Sequence, residues 1–384
     1  MKKLLVALLV ATALSPVYAQ QALRNASEVK SPVINTDNSV TFNLFAPKAE
    51  EVKVTGDFLG APAVMSKDEN GLWSWTTPVL APELYMYAFD VDGVRVLDPN
   101  NVYMNRDVAT VTNIFLIDEE GSRAHNYRVN DVPHGTVSRV WYDSEGLGAK
   151  RRMTIYTPPG YEDSNENYPV FYLLHGAGGD EEAWIALGRT AQILDNLIAE
   201  GKAEPMIVVM TNGNATQTAA PGESAEGLVT PGFDVSRMNR GEFEQAFPDV
   251  VNYVDSHYRT KTDKAHRAIA GLSMGGFHSL HISKQYPDLF DYVGLFSAAI
   301  FPPEGSTSPV FQDFDGKLRT QFEKNPKLYW IAIGSDDFLY EDNKQYRELL
   351  DKEGYPYVYV ETPEGHIWKN WRIYLTEFAP QLFK

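Results

Sequence analysis

The sequence contains no cysteine. That excludes disulfide bridges and any lipid anchor carried on a thiol. A chain of 384 residues can bury one or two full hydrophobic cores without such bridges. Basic runs are absent too. With 34 Lys and Arg against 51 Asp and Glu, the formal net charge is −17, which makes nucleic acid and anionic membrane poor partners. Apolar runs of spanning length are also missing. Leu4 to Leu14 is too short to cross a bilayer, and nothing longer follows. That run follows Lys2-Lys3 and precedes Pro16 and Val17-Tyr18-Ala19. This is the layout of a signal peptide with a small-x-small cleavage site. The expectation is residues 1–19 as signal peptide, cleavage after Ala19, no membrane span, and export from a bacterial cell to the periplasm or the medium.

The chain changes character partway along. Residues 27–118 hold short alternating strands broken by turns, including Val40 to Phe45, Val52 to Thr55, Trp73 to Thr76, Tyr85 to Val91 and Val111 to Leu116. Asp92-Gly93 marks a tight hairpin. This predicts an all-β sandwich. Residues 119–133 are polar and irregular and read as a linker. Residues 134–384 alternate continuous apolar runs with amphipathic stretches. The runs are Val170 to Leu174, Met206 to Met210, Ala268 to Ala270, Val293 to Phe296, Tyr329 to Ile333 and Tyr357 to Val360. Strands covered on both faces look like this. Helices are predicted near 182–200, 242–257, 275–286, 341–353 and 367–378. Strands near Thr136 to Trp141 and Met153 to Tyr156 are expected at an antiparallel edge. The fold class is therefore α/β, a mostly parallel sheet with helices on both sides, preceded by a β-sandwich.

Gly271-Leu272-Ser273-Met274-Gly275 is a Gly-x-Ser-x-Gly pattern. Chance supplies it to roughly one chain of this length in ten, so its setting decides. A buried strand leads in and a helix leads out, as a nucleophile elbow requires. Glycines two places either side of the serine allow the strained turn to sit against neighbouring backbone. Ser273 is the predicted nucleophile, and the Met274 amide at the helix start is one oxyanion donor. Of eight histidines, His366 lies in the loop after the last strand, where the base belongs in the order Ser…Asp…His. His278 and His281 have i, i+3 spacing without a third metal ligand, so packing or surface is the reading for both. His175 opens His175-Gly176-Ala177-Gly178-Gly179 and reads as support for an oxyanion loop. Ala177 is the chosen second amide, with Gly178 as the alternative. Asp336 and Asp337 compete for the acid after the strand at Tyr329 to Ile333. Asp337 is preferred, with Asp336 fixing the turn or facing solvent.

The motifs Tyr172-Leu173-Leu174-His175-Gly176-x-Gly178-Gly179, Asp195-Asn196-Leu197-Ile198, Gly271 to Gly276, Gly334-x-x-Asp337 and Gly365-His366 resemble the esterase D-like branch of the α/β-hydrolases. More narrowly, the chain resembles the feruloyl esterases of carbohydrate esterase family one. The Gly-x-x-Asp register of that family supports Asp337. The front part carries Val54-x-Gly56-Asp57-Phe58, Gly71-x-Trp73, Tyr85-x-Tyr87 and Asp92-Gly93 before Leu97-Asp98-Pro99. It resembles the immunoglobulin-like, early-set module of carbohydrate-binding family 48.

The resemblance implies hydrolysis of ferulate esters on arabinoxylan-type plant polysaccharide, with no cofactor or metal. Trp184, Trp368 and the long segment Asn212 to Arg240 are the expected walls of a slot for the phenolic ring. In the front part, Trp73, Trp75, Tyr85 and Tyr87 either stack on sugar or fill the sandwich core. Alternative readings are an acetyl xylan esterase, a siderophore trilactone esterase, and a carbohydrate-binding protein with an inactive hydrolase domain.

Overall fold

The computed structural model describes residues 29–233 and 238–384. The expected signal peptide lies outside the described residues. The front part is all β and built of two antiparallel sheets. One orders its strands Val33–Ile34, Val40–Phe45, Leu72–Thr76 and Ser66–Lys67. The other runs Ala63–Val64, Val52–Gly56, Glu83–Val91, Thr110–Ile117 and Met104–Asp107, with Val94–Val96 hairpinned onto Glu83–Val91 through Asp92-Gly93. Strand alternation sends Val40, Phe42 and Leu44 inward. They meet Val54, Tyr87, Phe89 and Phe115 from the facing sheet. Tyr87 and Phe42 approach to 4.7 Å between ring centroids.

The second part is an eight-stranded sheet. Its strands are β1 (Thr136–Ser144), β2 (Ala149–Thr157), β3 (Val170–Leu174), β4 (Ile207–Thr211), β5 (Arg267–Leu272), β6 (Tyr292–Phe296), β7 (Leu328–Gly334) and β8 (Val358–Thr362). Their order is β1-β2-β4-β3-β5-β6-β7-β8. The first two are antiparallel edge strands and the rest run parallel. The helices are α1 (Ala183–Ala186), α2 (Thr190–Ala199), α3 (Glu242–His257), α4 (Met274–Gln285), α5 (Phe314–Glu323), α6 (Tyr340–Glu353) and α7 (Trp368–Phe378). Within β3, Phe171 and Leu173 join the core under α1, α2 and α7. Val170, Tyr172 and Leu174 join the core under α3 to α6. That division explains why the strand reads as an unbroken apolar run.

The helix predicted at 182–200 is two helices. A side chain at Gly188 would strike the Trp184 carbonyl, and Arg189 sits at φ 55°, so the chain turns there. The segment 119–133 is packed rather than free. A 3-10 turn at Arg123–Tyr127 buries Ala124, Asn126 and Tyr127. Tyr127 shares one core with Leu84 of the sandwich and the aromatic residues of α7. The two parts thus meet over continuous apolar surface.

Candidate active site

Ser273 stands between β5 and α4, with φ 54° and ψ −114°. A serine holds this unfavourable backbone only when its surroundings impose it. They do so through contact. A Cβ on Gly275 would collide with the carbonyl oxygens of Leu174 and His175. One on Gly271 would collide with the Gly275 backbone. The Ser273 amide donates to the Phe296 carbonyl at 2.9 Å, and its own carbonyl accepts from Ala299 at 3.1 Å. The turn is locked to β6 on one side and to the end of β3 on the other.

His366 lies in the loop between β8 and α7. Its Nδ1 is 2.8 Å from Asp337 Oδ2 and 3.0 Å from Oδ1. Asp337, just after β7, is buried, and its carboxylate also accepts from the Leu339 amide at 2.9 Å. Asp336 is exposed. Asn370 pins the histidine loop by donating to the Pro363 and Gly365 carbonyls at 3.0 and 2.9 Å. The imidazole rests against Phe338 and, edge-on, against Trp371. With Nδ1 engaged by a carboxylate, Nε2 is the nitrogen left for the cavity that His366 shares with Ser273.

That cavity has a volume of about 890 Å³. Gly176, Ala177 and Gly179 line it beside Ser273. The Gly179 amide closes a turn onto the Gly176 carbonyl at 3.1 Å, and Gly178 has φ +76°. Behind the turn sits His175, fully buried. The Gly213 amide donates to its Nε2 at 2.7 Å, so Nδ1 carries the proton donated to the Gly176 carbonyl, also 2.7 Å. Burial pushes the His175 pKa down to about 4, which keeps the ring neutral in this tautomer. Met274 heads α4 directly after the serine.

The walls differ from expectation in three ways. Trp368 lines the cavity, but Trp184 does not. Trp184 is fully buried behind the wall, its indole N–H donating to the Leu174 carbonyl at 2.9 Å, and Trp371 takes a place in the lining instead. A polar end is formed by Arg139, Arg152, Glu182 and Glu223. Arg152 there reaches Glu181 at 2.7 Å, Glu223 at 2.8 Å and Glu182 at 3.0 Å. The front sandwich also supplies Arg106, Asp107 and Val108. The segment Asn212 to Arg240 contributes Ala220, Pro221, Glu223 and Phe233, as its length suggested. The sandwich aromatics are core residues. Trp73, Tyr85 and Tyr87 are buried and fill the sandwich core, and Trp75 packs partly buried against the same cluster. His278 and His281 are buried in helix packing. His278 Nδ1 lies 2.7 Å from Glu244, and among the described residues no group of side chains is suited to hold a metal ion.

Strand order, the strained Ser273 turn, and a histidine and an acid delivered from successive strand ends together define the α/β-hydrolase fold. The Esterase family model matches residues 144–382, well over half of the chain, and the protein belongs to that family. Carbohydrate-binding module 48 (Isoamylase N-terminal domain) matches residues 29–103. The chain is similar to an endo-1,4-beta-xylanase/feruloyl esterase of Xylanibacter ruminicola, 31% identical over 366 residues, covering 92% of this chain and 46% of that protein. It is 25% identical over 264 residues to endo-1,4-beta-xylanase Y of Acetivibrio thermocellus, covering 62% of this chain and 22% of that one. It therefore spans about half the length of the first relative and under a quarter of the second. Among solved structures, a CE1 ferulic acid esterase from Anaeromyces mucronatus in complex with ferulic acid aligns with TM-score 0.53 and 28% identity, over 67% of this chain and 93% of that one. The enterobactin esterase of Shigella flexneri aligns over 90% of this chain and 93% of its own, with TM-score 0.63 and 16% identity. That likeness is one of fold, and it extends across both parts.

Proposed function

We propose that this protein is an exported feruloyl esterase that hydrolyses hydroxycinnamoyl esters on arabinoxylan-type plant polysaccharide. The observation that carries the reading is the cavity. It holds Ser273 and His366 together beside an apolar wall of Ala183, Ala186, Leu187, Trp368 and Trp371. At about 890 Å³ it suits an aromatic acyl group with part of a sugar, and far exceeds what an acetyl ester fills. The named activities of the Xylanibacter and Anaeromyces relatives support the same choice. Export rests on Lys2-Lys3, the apolar run after them and Val17 to Ala19. Among the described residues, no helix is long and apolar enough to cross a membrane.

In this mechanism Ser273 Oγ attacks the ester carbonyl carbon and its proton passes to His366 Nε2. Asp337 holds the imidazole in the tautomer with Nδ1 protonated and stabilises the imidazolium that forms. The Met274 and Ala177 amides donate to the oxyanion. Collapse breaks the bond to the sugar oxygen, which leaves with the proton from His366. Water, deprotonated by the same histidine, then attacks the feruloyl-serine and releases ferulate.

The test measures ferulate released from methyl ferulate and from feruloylated arabinoxylan, alongside acetate released from acetylated xylan. Ferulate release from both feruloyl substrates is expected. Acetate without ferulate would reassign the protein as an acetyl esterase. Release of neither would favour a carbohydrate-binding role.

A further inference from the structure

We propose that Asp107, contributed by the front sandwich, accepts a hydrogen bond from the phenolic hydroxyl of the acyl group and so sets acyl specificity. The proposal rests on the hydroxycinnamoyl reading above.

Asp107 ends the strand Met104–Asp107, pairs with Thr110, and begins a two-residue turn through Val108 and Ala109. The turn reaches into the esterase part. The strand lies against α1. A side chain at Gly178 would strike both γ carbons of Val108, so the hairpin tip rests directly on the glycine loop beside Ser273. Arg106 fixes the tip, donating to the Val108 carbonyl at 3.0 Å and to Asp180 at 2.5 Å. Asp107 lines the cavity together with Val108, Ala183, Ala186, Leu187, Trp368 and Trp371.

A carboxylate on an apolar wall is costly unless hydrogen bonds compensate it. The neighbouring Trp368 indole eases that cost, pulling the Asp107 pKa down. Burial still pushes the Asp107 carboxyl above the ordinary carboxylate range, against the pull of that indole and of Arg106. A carboxylate has about four acceptor positions, so capacity remains for a donor inside the cavity. Few polar groups on an apolar slot are what fix a ligand's orientation. A hydroxycinnamoyl group carries one O–H at the far end of a flat apolar ring, and an acetyl group carries none. Arg106 is committed to the Val108 carbonyl and Asp180, whereas the cavity-lining Ala183 and Ala186 of the adjacent α1 and the neighbouring Trp368 are apolar, so the donor is assigned to the acyl ring rather than to the sugar. The front sandwich then acts inside the active site and selects the acid part of the ester.

The test compares kcat/KM on methyl 4-hydroxycinnamate, methyl 4-methoxycinnamate and methyl cinnamate for wild type, Asp107→Asn and Asp107→Leu. The wild type should prefer the hydroxy ester over both others. The hydroxy-to-unsubstituted ratio should fall about tenfold or more in Asp107→Leu, and less in Asp107→Asn, which keeps one acceptor oxygen. A poorly folded preparation lowers both rates and leaves their ratio alone. An unchanged ratio in Asp107→Leu overturns the proposal and leaves the feruloyl reading standing. So does a loss confined to feruloyl-arabinose with the methyl esters unaffected, which assigns Asp107 to the sugar. A wild type that cleaves no cinnamoyl ester removes the reading and the proposal together.

Discussion

Arg372 of α7 and Glu83 of the front sandwich form a buried ion pair, Nη2 to Oε1 at 3.0 Å. The same guanidinium donates to the Leu84 carbonyl at 2.8 Å and the Leu187 carbonyl at 3.2 Å. One fully buried side chain thus ties the sandwich, α7 and the turn after α1. Removing one partner of such a pair strands the other charge, at a cost of about 3–5 kcal/mol. Glu83→Ala and Arg372→Ala should each lower the unfolding midpoint sharply. Replacing both together with apolar residues of similar volume should cost less than either alone. A double replacement whose loss equals the sum of the single losses would contradict this account.

The acid assignment makes a sharp contrast. Asp337→Asn keeps shape but forces the wrong His366 tautomer, and should lower kcat by about 10⁴. Asp336→Asn, at an exposed position, should leave kcat within a few-fold of wild type. Steady-state rates on methyl ferulate decide it, and equal losses would count against Asp337.

Acid sensitivity should arise in part from His175. The folded state holds it neutral down to a pKa of about 4, whereas an unfolded chain protonates it near 6.5. Between those values the unfolded state binds more protons, so stability falls as pH drops from about 6.5 to about 4. His175→Gln should be less stable at pH 7, having lost ring contacts to Gly213 and Gly176. It should also show a shallower decline across that window. Urea midpoints measured through the range would show this, and a slope as steep as wild type would refute it.

Much of the esterase part was legible because its physics is local. Parallel strands covered on both faces must be apolar throughout, so β3 to β7 announced themselves. The strained turn at Ser273 demanded glycines at Gly271 and Gly275, and the chain order pointed to His366 and narrowed the acid to Asp336 or Asp337, between which the Gly-x-x-Asp register favoured Asp337. Helix α5 was missed because only Leu318, Gln321 and Phe322 are buried on it, too little for a visible apolar stripe. The hairpin Met104–Ile117 was read only in its second strand. Val108 occupies a left-handed position, φ 53°, in a two-residue turn where Gly or Asn would have been the signal. The contribution of Arg106, Asp107 and Val108 to the cavity was therefore invisible. Trp184 was misjudged because an aromatic residue near a glycine loop is equally suited to the wall and to the core behind it. Only the Leu174 carbonyl, which takes its indole proton, separates the two.

The most direct test of the central claim is to trap the acyl-enzyme. Mixing the protein with methyl ferulate, quenching in acid and digesting should yield a feruloyl mass increment on the peptide carrying Ser273. Ser273→Ala should show no increment and should lose ferulate release almost entirely. An increment on another residue, or a Ser273→Ala protein that still releases ferulate at the wild-type rate, would contradict the account.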